Sequence, residues 1–225
     1  MKNENLIDLE AKPATYFSRV RPEMLPFIPH EVRRILEFGC GEGTFGAQLK
    51  KRGAEVWGVE LEPSAAEIAR QQLDRVFCGD ALEMIAHLPA AYFDCIIFND
   101  VLEHLIDPYT VLLAARRLFT AEGLVVCSIP NVRFFRNFFN FVVRGDWHYE
   151  DSGIMDKTHL RFFTRKSIAE MFESLSYQVV RLEGINATPS WRVALLSAML
   201  FGALEDTKYL QFCCVARPLA QGHCA

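Results

Sequence analysis

The stretch that decides the fold runs from residue 33 to residue 60 and reads RRILEFGCGEGTFGAQLKKRGAEVWGVE. An apolar run at 34–38 is followed at once by glycines at 39, 41 and 43, which predicts a strand that ends in a tight turn. A helix follows, and a second strand at 54–59 delivers Glu60 at its carboxyl end. Strand, glycine turn, helix, strand and acid together predict the first unit of a nucleotide-binding α/β sheet.

The glycine turn fits two classes of cofactor. Gly41, Gly43 and Gly46 match the G-x-G-x-x-G pattern of dinucleotide-binding enzymes, with Glu60 at about the ~20-residue distance that this pattern expects. The same turn also reads Glu37-x-Gly39-x-Gly41-x-Gly43, and in this form the chain resembles the class I S-adenosylmethionine-dependent methyltransferases. An NAD-dependent oxidoreductase is the alternative, and a non-catalytic cofactor-binding partner protein is the third hypothesis.

The resemblance implies a fold and a set of cofactor contacts. The fold is a Rossmann-like, mostly parallel seven-stranded sheet of order 3-2-1-4-5-7-6, with the last strand antiparallel and helices on both faces. The acid before the turn braces it, Glu60 holds the ribose hydroxyls, and Asp80 reaches the adenine amino group. Asp80 also suits the N-cap of a helix predicted over 82–88. The residues expected to bind S-adenosylmethionine are Glu37, Gly39, Cys40, Gly41, Gly43, Glu60, Leu61, Asp80, Ala81, Asn99 and Val101.

Strands and helices alternate through the remaining chain, which predicts right-handed crossovers and a parallel sheet. The run from Phe93 to Pro108 resembles the ubiquinone-type O-methyltransferase branch. Further strands are predicted at 75–78, 93–98, 124–129, 178–182 and 209–216, and further helices begin at Pro63, Pro108 (continuing to Phe119) and after Thr164.

The composition and the net charge limit the possible domain organisation and partners. A formal net charge of −4 and a pI near 5.9 show no excess of basic residues that would bind phosphates, so a nucleic-acid substrate is not expected. The polar, acidic residues 1–11 predict no targeting leader, and the apolar run 193–204 is too short to span a bilayer, which favours a cytoplasmic enzyme. We expect one domain over 1–225, with an N-terminal helical segment at 15–29 and a substrate or lid insertion at 131–163. Tyr16 in the first segment is expected either to contact the cofactor or to pack in the core.

The first part of the insertion is rich in phenylalanine. Residues 133–143 alternate apolar side chains with Arg133 and Arg136, and Arg144 follows. This pattern has three interpretations: a lid helix packed on the edge of the sheet, a homodimer contact, or a face for peripheral membrane contact. A second apolar helix predicted at 191–204 favours the last two.

The second part of the insertion is expected to recognise the methyl acceptor. Its stretch DKTHLRFFT at 156–164 resembles a branch found near polysaccharide biosynthesis, which implies a glycan-like or other small-molecule acceptor. A hydroxyl acceptor must lose a proton, and an imidazole titrates close to neutral pH. His159 is therefore the first candidate for the base, Asp156 is expected to orient it, and His104 is the competing candidate. The spacing of His148, Asp151, Asp156 and His159 matches no recognised site, so no metal is expected.

Overall fold

The computed structural model of the chain describes residues 17–188 and 190–219. In these residues seven strands form one sheet of order β3-β2-β1-β4-β5-β7-β6, which confirms the expected order. The strands are β1 (Arg34–Phe38), β2 (Glu55–Glu60), β3 (Arg75–Cys78), β4 (Phe93–Asn99), β5 (Phe119–Pro130), β6 (Tyr177–Ala187) and β7 (Tyr209–Pro218). The α-helices are α1 (Thr44–Lys50), α2 (Pro63–Ala69), α3 (Ala81–Ile85), α4 (Pro108–Ala115), α5 (Phe135–Phe139), α6 (Arg165–Ser174) and α7 (Trp191–Met199).

The pairing directions also follow the expectation. Strand β1 pairs in parallel with β2 and β4, β2 with β3, and β4 with β5. Strand β7 runs antiparallel to both β5 and β6. The central strands are apolar and buried on both faces, as a parallel sheet covered by helices requires. The carboxyl ends of β1, β2 and β4 therefore meet at one edge of the sheet.

Two strands are longer than the sequence predicts. Strand β5 begins at Phe119, where the prediction extends helix α4, because Phe119 already pairs with Phe93 across a register shift. Helix α4 ends at Ala115 and a short 3₁₀ turn, Arg116–Leu118, follows it. Strand β6 continues to Ala187, since the antiparallel ladder to β7 supplies hydrogen bonds beyond the apolar run.

The predicted N-terminal helix is wrong for the described residues. Only a 3₁₀ turn, Pro22–Phe27, forms there. Two prolines in it lack the N–H that an α-helix needs, and Arg21 just before it takes a left-handed φ of 50°. The segment instead crosses the carboxyl edge of the sheet: the Phe17 carbonyl accepts the Glu42 N–H at 2.9 Å, and the Arg21 guanidinium binds Asp100. Tyr16 lies outside the described residues.

The phenylalanine-rich segment is less buried than a packed lid helix would be. After α5 a π-helical turn, Asn140–Arg144, ends at Gly145 with φ 65°. Phe134 is buried against the domain, whereas Phe139, Phe141, Val142 and Val143 are exposed. Helix α7 also exposes apolar residues, among them Leu195 and Met199. The lid interpretation therefore accounts for Phe134 and not for the exposed apolar residues that follow it. Among the described residues, no helix has the length and apolar character to cross a bilayer.

Candidate active site

The glycine turn leaves no room for side chains. A Cβ on Gly39 would lie 2.5 Å from Val101 Cγ2, and one on Gly41 would lie 2.4 Å from the Phe17 carbonyl oxygen. Both glycines also have positive φ, 64° and 55°. The turn thus lies in direct contact with the end of β4 on one side and with the N-terminal segment on the other, and a ligand can come close to its backbone.

Glu60 ends β2 and binds the turn. Its Oε2 accepts the Gly41 N–H at 2.7 Å, and its Oε1 accepts the Glu62 N–H at 2.9 Å. Burial raises the pKa of this carboxyl, against the hydrogen bonds that lower it. Each carboxylate oxygen retains a second lone pair, so the group can accept hydrogen bonds from a diol while it holds the turn.

Two polar side chains at this edge are buried without a hydrogen-bond partner among the described residues. They are Glu37, through Oε2, and Asn99, through both amide atoms. Both lie at or near the carboxyl ends of the neighbouring strands β1 and β4, where open α/β sheets bind their ligands. The Gly46 backbone and the Asn99 side chain lie close enough to Glu37 to lower its pKa, and a ligand at this edge would complete the hydrogen bonding of both side chains.

The other predicted cofactor residues take three different positions. Asp80 is the N-cap of α3, with Oδ1 accepting the N–H of Leu82 at 2.8 Å, and α3 ends earlier than the predicted helix. Leu61 and Asp80 are exposed at the ends of β2 and β3, and Ala81 begins α3. The Cys40 thiol is buried against Gly58, which leaves its backbone as the part that faces the turn.

The structure brings together Glu103, His104 and His159. One ligand atom from each lies within 4.8 Å of the others, and the distance from His159 Nε2 to Glu103 Oε1 is 4.0 Å. The insertion is docked here by its backbone, because the N–H groups of Leu160 and Arg161 donate to the Glu103 carbonyl at 2.9 and 3.0 Å. Glu103 was not predicted as a site residue. The only feature of the sequence that indicated it was its position beside His104, just after β4.

Backbone carbonyls fix the tautomers of both histidines. His159 Nδ1 lies 2.9 Å from the Ile154 carbonyl oxygen, and His104 Nδ1 lies 3.2 Å from the Thr158 carbonyl oxygen. A carbonyl oxygen only accepts, so in these contacts each Nδ1 donates its N–H. Burial raises the pKa of Glu103 well above its ordinary value, and neither carboxyl oxygen has a hydrogen-bond partner among the described residues.

Asp156 shapes the turn that carries His159. Its Oδ1 accepts the N–H of Thr158 at 2.9 Å and the Thr158 hydroxyl at 2.7 Å, and its carbonyl accepts the His159 N–H at 2.9 Å. Asp156 therefore holds the turn through the backbone and through Thr158, whose hydroxyl also lies 3.2 Å from His104 Nδ1, and its orienting role in catalysis stays a prediction.

The cluster has the donor types of a metal site. Two imidazoles and a carboxylate are the set that zinc and ferrous iron favour, and a carbonyl on each Nδ1 is the usual second contact of a ligating histidine. The prediction of no metal was based on the spacing of His148, Asp151, Asp156 and His159. Of these four residues, only His159 belongs to the present cluster. Binding an ion at ~2.0–2.2 Å would require the three ligand atoms to move closer than the present geometry.

Comparisons with known proteins decide the family. Residues 10–182 match the family model described as "Methyltransferase domain". The chain belongs to this methyltransferase family. A ubiquinone biosynthesis O-methyltransferase of Cereibacter sphaeroides is 29% identical over 175 residues, which cover 75% of this chain and 70% of the relative. The corresponding enzyme of Maricaulis maris is 29% identical over 124 residues, 53% of this chain and 48% of the relative.

Solved structures agree on the fold. A SAM-dependent methyltransferase from Archaeoglobus fulgidus superimposes with a TM-score of 0.64 at 21% identity, covering 87% of this chain and 91% of that chain. One from Mesorhizobium loti gives 0.61 at 17% identity, covering 87% and 96%. The methyltransferase is S-adenosylmethionine-dependent, and the dehydrogenase and partner-protein hypotheses are set aside. The glycine turn and the unpartnered atoms of Glu37 and Asn99 fit this cofactor.

Glu37 predicts a pH dependence of stability in the cofactor-free methyltransferase. Burial, and next the Glu60 carboxylate, raise its pKa from 4.5 to about 8. The folded state therefore binds this proton more tightly than the unfolded state, so the associated stability is complete below the unfolded value and is lost as pH rises from about 4.5 towards 8. A shift of this size corresponds to an effect on the order of 3–5 kcal/mol.

We expect Glu37→Gln, which cannot ionise, to flatten the decline in the free energy of unfolding between pH 5 and pH 8.5. Urea denaturation at several pH values measures it, with Glu122→Gln, an exposed carboxylate, as the matched control. Parallel pH curves for wild type and Glu37→Gln would refute the assignment.

Proposed function

We propose that this methyltransferase transfers the methyl group of S-adenosylmethionine to a hydroxyl of a small-molecule or glycan-type acceptor, and that His159 accepts the hydroxyl proton. The observation that carries the proposal is the position of the His159 imidazole, whose Nε2 lies 4.0 Å from Glu103 Oε1 and whose Nδ1 donates to the Ile154 carbonyl. Glu103 comes shortly after β4, and Val101, which lies between them in the sequence, packs against Gly39 of the glycine turn.

Methyl transfer from a sulfonium requires little covalent participation by the protein. The cofactor supplies a methyl group already activated on a sulfonium, and alignment of acceptor and methyl can contribute about 7–11 kcal/mol. In this proposal Glu60 and the backbone of the glycine turn hold the cofactor, with Glu37 and Asn99 at its side. His159 takes the proton from the acceptor oxygen, and Glu103, once it has ionised, stabilises the imidazolium that forms.

Three observations support a hydroxyl acceptor of modest size. A buried base suits an alcohol, which has to lose a proton as it attacks, more than an amine, which attacks as a neutral lone pair. The relatives quoted above are named as O-methyltransferases. The net charge of −4 disfavours a nucleic-acid acceptor.

The test is a labelled-methyl transfer assay. The full chain is incubated with methyl-labelled S-adenosylmethionine and fractions of a cell extract, and labelled products are identified by mass and by the carbon shift of the new methyl group. We expect an O-methyl product. Product formation should also survive treatment with EDTA, because proton transfer to His159 needs no ion.

Two results would change the proposal. An N-methyl or C-methyl product would exclude the hydroxyl acceptor. Activity that EDTA abolishes and zinc or magnesium restores would assign Glu103, His104 and His159 to a metal instead of to proton transfer.

The domain organisation and the association state belong to the same proposal. We take the chain as one catalytic domain whose insertion, 131–163, covers the acceptor side. The exposed apolar residues of the insertion, among them Phe139 and Phe141, and those of α7 serve either a homodimer or peripheral membrane contact. Sedimentation with anionic liposomes, and molar mass in solution, distinguish the two.

A further inference from the structure

The insertion contains a small cavity that the proposed chemistry does not use. Its volume is about 110 Å³. The lining is polar and aromatic and includes Asn137, Asn140, Asp146, Trp147, His148 and Glu150. These side chains come from α5, from the π-helical turn and from the loop that follows, so one short segment of the chain builds most of the cavity.

The aromatic wall of the cavity is held in place. The Trp147 ring lies edge-on to Phe141 at 5.5 Å and to Phe162 at 5.3 Å between centroids. About two fifths of the residue remains exposed, 42%, so part of it is available to a ligand. On the α5 side the Asn137 Nδ2 is buried without a hydrogen-bond partner among the described residues.

The combination of side chains defines a class of ligand. Amides and carboxylates each offer two polar atoms in one plane, which suits neighbouring hydroxyl groups. An indole offers a flat apolar surface for the C–H face of a ring, with a donor at its edge. Asp146 and Glu150 are acidic, so an anionic ligand is repelled. An uncharged, polyhydroxylated ring of the pyranose type meets all three conditions.

The cavity and the proposed base share one turn. The Met155 carbonyl accepts the Glu150 N–H at 2.8 Å, and the adjacent Ile154 carbonyl holds His159 Nδ1 at 2.9 Å. Phe162 lies between them, 5.3 Å from the Trp147 ring and 6.4 Å from the His159 ring. A ligand in the cavity is therefore joined to His159 through contacts of a single loop.

We infer that this cavity is a subsite for an uncharged glycosyl ring of the acceptor. The inference rests on the proposed function, because it assigns the second half of the acceptor site whose first half is His159.

The test uses the full chain saturated with S-adenosylhomocysteine and two probes, methyl β-D-glucopyranoside and its uronate. Saturation-transfer-difference NMR and tryptophan emission report binding. We expect millimolar binding of the uncharged pyranoside, at least tenfold weaker binding of the uronate, and at least tenfold weaker pyranoside binding in Trp147→Ala. The conservative variant Glu150→Gln should bind the uronate more tightly than wild type does, which is a gain that misfolding cannot produce. Trp191→Ala on α7 is the matched control, and its pyranoside binding should equal that of wild type.

Failure of the subsite and failure of the proposed function can be told apart. Absence of pyranoside binding, or equal binding in Trp147→Ala, overturns the subsite even where the labelled-methyl assay yields an O-methyl product. Pyranoside binding that follows the expected order supports the subsite, and an absent O-methyl product would then count against the proposed function alone.

Discussion

Replacing His159 by asparagine is expected to lower kcat by about 10²–10⁴-fold, the usual contribution of a positioned base. Affinity for S-adenosylmethionine should change by less than about twofold, since the proposed function places His159 on the acceptor side of the site. Asparagine keeps a side-chain N–H that can donate to the Ile154 carbonyl, as His159 Nδ1 does at 2.9 Å, but it has no counterpart of Nε2. The loss of turnover would then report the missing base and not a collapsed loop.

The pH profile makes this prediction specific to proton transfer. Burial raises the pKa of Glu103, so at low pH this group is an uncharged acid that cannot stabilise the imidazolium of His159. The wild-type kcat should therefore rise with pH and continue to rise above about 6.5, the ordinary value for histidine. Removing the carboxylate in Glu103→Gln should move this rise to lower pH, and His159→Asn should abolish it.

The measurements are steady-state kinetics with the acceptor identified by the labelled-methyl assay, and calorimetry with S-adenosylhomocysteine. His87→Asn, an exposed histidine at the end of α3, is the matched control and should retain wild-type turnover. A kcat for His159→Asn within threefold of wild type would remove His159 from the mechanism and leave His104 as the candidate base.

The bounds of a strand were predictable where the local sequence and the long-range strand pairing favour the same residues. Strands β1 and β3 occupy the predicted residues because apolar runs end directly at glycine-containing turns. The start of β5 was not predictable, since it depends on pairing between Phe119 and Phe93 across a register shift. The N-terminal helix failed because its apolar spacing resembles a helix while its two prolines prevent one.

The same division applies to the site. The residues expected at the cofactor follow from motifs that are local in sequence, because the carboxyl ends of parallel strands meet at one edge. The cluster of Glu103 with His159 depends on a loop that returns 56 residues later and docks on the Glu103 carbonyl through two N–H groups. No spacing in the sequence encodes that contact, so reasoning from the sequence paired His159 with its neighbour Asp156 and overlooked Glu103.

The second large effect is expected at Glu60, where alanine should weaken binding of S-adenosylmethionine by about 10²–10⁴-fold. A charge-assisted hydrogen bond contributes about 1.5–3 kcal/mol, and the proposed ribose contact has two. The carboxylate also accepts the N–H groups of Gly41 and Glu62, so alanine releases the turn itself.

Glu60→Gln separates the two roles of this side chain. Its amide retains one acceptor oxygen, which can hold either the Gly41 N–H or a ribose hydroxyl, so its dissociation constant should lie between those of wild type and Glu60→Ala. Glu62→Ala is the matched control: this neighbouring carboxylate is the N-cap of α2 through Ser64, and its loss should change cofactor affinity by no more than a few-fold. Calorimetry with S-adenosylhomocysteine gives the three constants. Equal constants for wild type and Glu60→Ala would exclude the ribose contact and with it the present account of the cofactor site. The alanine variant should also lose most of the thermal stabilisation that the cofactor gives to wild type.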